Sequence, residues 1–145
     1  MIRPVAQDIY ISGERGLLLK LDRKDGKFKT VKIPYDGTLF GVAGKQGVLT
    51  AFGLRGNLFI SRDSGTTWKK IESGTEAGLV DGAVTDDGRI VIVSQLGQLL
   101  VSTDNGSSFK LQTPEVQKPA STILALANSQ LLIGGRLGFQ AVALK

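Results

Sequence analysis

Short apolar runs, each bounded by Gly, Asp or Asn, recur along the whole chain, and no long stretch places apolar residues at the i, i+3, i+4, i+7 spacing of an amphipathic helix. The pattern predicts an all-β chain. Its best-preserved stretch gives four strands, Leu39–Ala43, Val48–Phe52, Asn57–Ser61 and Trp68–Ile71. The segments between them are Gly44-Lys45-Gln46-Gly47, Gly53-Leu54-Arg55-Gly56 and Asp63-Ser64-Gly65-Thr66. They are rich in residues that accept positive φ or cap a turn with their side chains. The next stretch repeats the plan with Val80–Val84, Ile90–Ser94, Gln98–Ser102 and Phe109–Gln112.

The repetition extends to individual residues. Ser61-Arg62-Asp63-Ser64-Gly65-Thr66-Thr67-Trp68 returns 41 residues later as Ser102-Thr103-Asp104-Asn105-Gly106-Ser107-Ser108-Phe109. The common pattern is Ser-x-Asp-x-Gly-x-x-aromatic. A degraded copy precedes them, in which Gly16-Leu17-Leu18-Leu19 leads to Asp25-Gly26-Lys27-Phe28, and a truncated one follows at Gly138-Phe139-Gln140-Ala141-Val142. Four short antiparallel strands in a unit of about 40 residues are the signature of a β-propeller blade. The expectation is a single domain of about three and a half blades, at residues 1–34, 38–72, 79–113 and 121–145. The first unit shows three strands, Val5–Ile11, Leu17–Leu21 and Phe28–Ile33. The last shows three more, Ile123–Ala127, Leu131–Ile133 and Phe139–Leu144, for fourteen in all.

Composition narrows the chemistry. The chain has 145 residues, enough for one substantial core, and its 41% apolar content argues against disorder. Without cysteine or histidine it has no disulfide, no thiolate metal site and no Ser-His-Asp triad. No metal and no cofactor are expected. The net charge of +5 favours acidic partners at long range, but it is not gathered into a Lys/Arg block with interleaved aromatics, so nucleic acid is not expected as a ligand. The segment Met1-Ile2-Arg3-Pro4-Val5 lacks the apolar stretch of a signal peptide, and no run reaches the length of a membrane helix. Membrane insertion is therefore not expected.

Ser61-x-Asp63-x-Gly65-x-x-Trp68 and Ser102-x-Asp104-x-Gly106-x-x-Phe109 resemble Asp-boxes, also called BNR repeats. Together with the paired turns Gly13-Glu14-Arg15-Gly16 and Gly53-Leu54-Arg55-Gly56, the unit resembles more narrowly the photosystem II stability and assembly factor family and its non-photosynthetic relatives. The resemblance covers nearly the whole chain. It implies a protein-binding propeller with an arginine-rich face, and an exported, lumenal or periplasmic location if the chain belongs to a longer protein. The box residues have a structural explanation of their own: the aspartate accepts turn N–H groups, the glycine supplies positive φ, and the aromatic packs back on the sheet. No catalytic residue is assigned.

In a blade, the turn between the second and third strands shares a face with the connection to the next blade, and the boxes lie on the opposite face. The first set holds Arg15, Arg55 and Arg136, the last one step out of register, while Leu96 interrupts the series. These three arginines are the candidate contacts for a protein partner, an acidic one on charge grounds. The runner-up function is a carbohydrate-binding or degenerate sialidase-like glycosidase propeller. Against that reading, only Tyr10 and Tyr35 are available as a tyrosine nucleophile, and Asp86-Asp87 stand in a turn signal, Asp86-Asp87-Gly88-Arg89. Incomplete end units leave three ways to close the ring: a longer chain, a distorted four-bladed ring, or a homodimer.

Overall fold

The computed structural model describes residues 1–145 and contains fifteen strands in four antiparallel sheets. The first sheet comprises β1 (Ile2–Val5), β2 (Asp8–Ser12), β3 (Leu18–Asp22) and β4 (Lys27–Thr30). The second comprises β5 (Leu39–Lys45), β6 (Val48–Gly53), β7 (Leu58–Ser61) and β8 (Lys69–Ile71). The third holds β9 (Leu79–Val84), β10 (Ile90–Ser94), β11 (Leu99–Ser102) and β12 (Lys110–Gln112), and the fourth β13 (Thr122–Ala125), β14 (Gln130–Gly135) and β15 (Gly138–Ala143). Neighbours in sequence pair within each sheet, so every connection inside a blade is a hairpin.

Val5–Ile11 is not one strand; the chain turns at Ala6-Gln7, with Ala6 at φ 53, and Ile2↔Ile11 and Val5↔Asp8 pair across the hairpin. The first sheet is therefore complete, and the strand count is fifteen rather than fourteen. No Gly or Pro marks that turn, because a single alanine takes the left-handed conformation that sequence rules assign to glycine. The repeated aromatics Trp68 and Phe109 also stand just outside β8 and β12.

The first strands of successive sheets touch one another, β1 with β5, β5 with β9 and β9 with β13, and so lie nearest a common axis. Between the sheets run three apolar seams. The first joins Tyr10 and Leu18 to Val42, Leu49 and Ala51. The second joins Phe52 and Leu58 to Leu79, Ile92 and Leu100. The third joins Val91, Val93 and Val101 to Ile123, Leu131 and Ile133. Alternation explains the division, since successive side chains of a strand point to opposite faces. Thus in β10 Ile92 faces the second sheet and Val91 and Val93 the fourth, and all five of its residues are buried. Burying one such side chain contributes about 1.5–3 kcal/mol. The seams, more than the hairpins, hold the sheets together.

At the axis a buried aspartate ties three sheets. Asp81, only 1% exposed, pairs with Arg3 at 2.6 Å and accepts hydrogen bonds from Thr122 Oγ1 at 2.8 Å and the Ile123 N–H at 3.0 Å. Arg3 also donates to the carbonyl of Gly82 at 2.9 Å. The carboxylate thereby meets donors from the first, third and fourth sheets, which is what makes its burial tolerable.

Candidate functional site

The turns β2–β3, β6–β7, β10–β11 and β14–β15 lie on one face of the molecule, interlocked with the connections between sheets. Gly16 N–H donates to Gly37 O at 2.7 Å, Leu54 N–H to Thr38 O at 3.0 Å, and Ala120 N–H to Gln95 O at 3.1 Å. The connections cross so closely that a side chain cannot fit beneath them. A Cβ on Gly56, which sits at φ +68, would lie 1.8 Å from the carbonyl oxygen of Thr75. Glycine there is a requirement of close approach as well as of backbone conformation.

These rigid turns display the three candidate arginines. Arg15 and Arg55 occupy identical left-handed positions, both at φ 54, and are exposed. Arg136 is exposed in the turn between Gly135 and Gly138, where Leu137 takes the place that Arg55 has in its own turn. None of the three joins an ion pair. Beside Arg55 runs an open groove of about 330 Å³, which also takes in Lys70, Glu72 and Glu76, so the charge of this face is mixed.

Sequence reasoning placed Leu54, Leu96 and Leu137 in these turns without giving them a role, and counted Leu17 in a strand. Leu17, Leu54, Leu96 and Leu137 are between 41% and 59% exposed, one on each turn. Their signal was an apolar residue repeated inside a turn that needs none for its own stability. Leu96, which interrupts the arginine series, belongs to this second series. The face is amphipathic.

The two motif turns lie on the opposite face. Ser61 Oγ accepts the Gly65 N–H at 2.8 Å and donates to Asp63 Oδ1 at 2.8 Å, while Asp63 accepts the Thr67 N–H at 2.8 Å. Ser102, Gly106, Asp104 and Ser108 repeat the arrangement at 2.8, 2.8 and 2.9 Å. The hydroxyl of Thr67, its N–H and the hydroxyl of Ser61 hold the Asp63 carboxyl down to about 2, and the Ser108 and Ser102 groups do the same for Asp104. Trp68 packs into the seam between the first and second sheets, and Phe109 into the seam between the second and third. The aromatics thus close seams between blades, and Trp68 also folds back on its own hairpin, its indole N–H donating to Gly65 O at 3.1 Å.

The remaining acidic pair is likewise engaged in structure. Burial opposes ionisation of Asp86, but the N–H groups of Asn128 and Ser129 and the Ser129 hydroxyl outweigh it and lower its pKa. Arg89, Thr85 and Ser129 hold the Asp87 carboxyl well below the usual range. Together they fasten the turn of Ala127–Ser129 in the fourth sheet to the β9–β10 turn of the third. Tyr10 is buried in the first seam, where desolvation raises its pKa, and Tyr35 leans on Phe59 with ring centroids 5.2 Å apart. No three acidic side chains converge as a metal site would require.

Three solved structures are similar over most of the chain. An ancestral GH74 enzyme matches 94% of it with a TM-score of 0.75 at 14% identity, the match covering 21% of that chain. Virginiamycin B lyase from Staphylococcus aureus matches 99% with a TM-score of 0.73 at 15% identity, covering 55% of the lyase chain. YCF48 bound to a D1 peptide matches 89% with a TM-score of 0.67 at 11% identity, covering 45% of its chain. The present chain therefore spans between about a fifth and about half of these proteins. No protein-family model and no curated protein matches it. At such identities the likeness establishes the fold: four blades of a β-propeller, the last with three strands.

Proposed function

We propose that this chain is a non-catalytic β-propeller scaffold that captures an acidic protein segment on the face of the β2–β3, β6–β7, β10–β11 and β14–β15 turns. The observation that carries the reading is the composition of that face: an exposed leucine on every turn and an unpaired arginine, Arg15, Arg55 or Arg136, on three of them. Arginine offers forked donors to carboxylates and is enriched in protein interfaces, and the leucines supply apolar area that water disfavours. The likeness to YCF48 bound to a D1 peptide supports a peptide or protein as the partner, and with it a place among assembly-factor-like propellers. In this reading the two motif turns are Asp-boxes with a structural task.

A second reading, a carbohydrate-binding or degenerate glycosidase propeller, is supported by the likeness to the ancestral GH74 enzyme. One experiment separates them. Replacing Arg15, Arg55 and Arg136 together by alanine should leave the unfolding midpoint unchanged and weaken capture of acidic peptides at least tenfold, with the wild-type binding itself falling as salt is raised. Peptide binding indifferent to the triple substitution sinks the arginine face, and turnover of a fluorogenic glycoside by the wild-type chain sinks the non-catalytic assignment.

A further inference from the structure

The outer faces of the first and fourth sheets carry apolar residues at the positions that form seams inside the molecule. In the interior, Leu49 and Ala51 of β6, Ile90 and Ile92 of β10, and Leu131 and Ile133 of β14 occupy equivalent positions facing the preceding blade, and all are buried. The corresponding residues of β2 are Ile9 and Ile11, which face outward from the first sheet with no blade against them. Beside them stand Leu19, Leu21 and Phe28. Phe28 holds the position of Trp68 and Phe109, the aromatics that close the first two seams, yet it is 37% exposed. Ile2, paired with Ile11, is 63% exposed.

The fourth sheet shows the reciprocal surface. Leu132 stands where Thr50 and Val91 face the following blade; its neighbours across the sheet are Leu124 and Ala141, with Phe139 next along β15. Leu124 is 58% and Phe139 73% exposed. No apolar cluster joins this face to the first sheet. Neither face carries a charged side chain among these residues, and patches of this kind mark interaction sites.

We propose that two copies of this chain assemble head to tail, the outer face of the first sheet of each copy packing on the outer face of the fourth sheet of the other. The occupant is a second copy because the free surfaces match one another as the facing sides of the three internal seams do, position by position over the three strands of the fourth sheet. Two such contacts related by a two-fold axis close a ring of eight blades, which lies within the range in which propellers close. Closure also removes both exposed apolar sheets at once. The proposal does not depend on the arginine face.

Light scattering on the 145-residue chain tests it. The expected mass is twice 15.4 kDa and stays there as concentration rises, because the ring leaves no free face for a third copy. Ile11→Lys and Leu132→Lys should each give a folded monomer, with the wild-type β-sheet circular dichroism. Mixing the two variants should restore a dimer, since one seam then combines two wild-type faces. A wild-type monomer overturns the proposal and leaves these faces to another occupant. A dimer that survives Leu132→Lys overturns the head-to-tail arrangement, as does failure of the mixture to associate. If either lysine variant fails to fold, Ile11→Ser and Leu132→Ser carry the same comparison.

Discussion

Asp63 and Asp104 do their work within a single turn, which is why the Ser-x-Asp-x-Gly-x-x-aromatic pattern could be understood from sequence. Hydroxyl and N–H donors a few residues away explain the aspartate, and the φ values of +91 at Gly65 and +79 at Gly106 explain the glycine. Those donors hold both carboxyls down to about 2 from an ordinary 3.8. A folded-state pKa below the unfolded one adds stability above the unfolded value, and the gain is lost as pH falls through the folded one. The melting temperature of the wild type should therefore drop between about pH 4 and pH 2 more steeply than that of the Asp63→Asn/Asp104→Asn protein, which cannot ionise at these sites. Parallel curves from calorimetry across that window would show that the two turns do not set the acid response. Asp81 was invisible by the same logic, because all its partners except the adjacent Gly82 N–H are distant in sequence. Arg3 and the carbonyl of Gly82, which it also contacts, are 79 residues apart in sequence.

At the scale of elements, strands flanked by Gly and Asp were legible, and the hairpin at Ala6-Gln7 was not, since its left-handed position is held by an alanine and not by Gly or Asn. The split of each strand into two faces was legible as alternation, but which neighbour each face meets is decided by the stacking of blades. That stacking is pinned near the axis by Asp81. Its carboxylate accepts the buried N–H groups of Gly82 and Ile123. Asp81→Ala leaves both without a partner, at a cost of about 1–3 kcal/mol for each buried donor. Asp81→Asn keeps one carbonyl oxygen for the Ile123 N–H and gives up the ion pair with Arg3, so it should lie between wild type and Ala in urea unfolding midpoint. An Ala variant as stable as wild type would mean that the seams alone orient the fourth sheet.

For the molecule as a whole, the period of the repeat revealed how many blades to expect, whereas exposure of the end faces required coordinates, because an apolar side chain in a strand reads the same whether or not a blade lies beyond it. Each internal sheet is gripped on two sides, and each end sheet on one. Stability in such an array is set by nearest-neighbour seams, and amide exchange reports it sheet by sheet. In a ring of two copies the first sheet gains a second neighbour. Its amides in β2 and β3 should then exchange nearly as slowly as those of β6 and β10. Leu132→Lys lies in the fourth sheet, which shares no apolar cluster with the first sheet of its own chain. Within one chain the two sheets are linked at the axis by Asp81, through Arg3 in β1 and Thr122 in β13, so faster exchange in β2 and β3 with β1 and β9 unchanged marks transmission through the contact between copies. Loss of protection confined to β13, β14 and β15 would instead mean that the first sheet is held by its own chain alone.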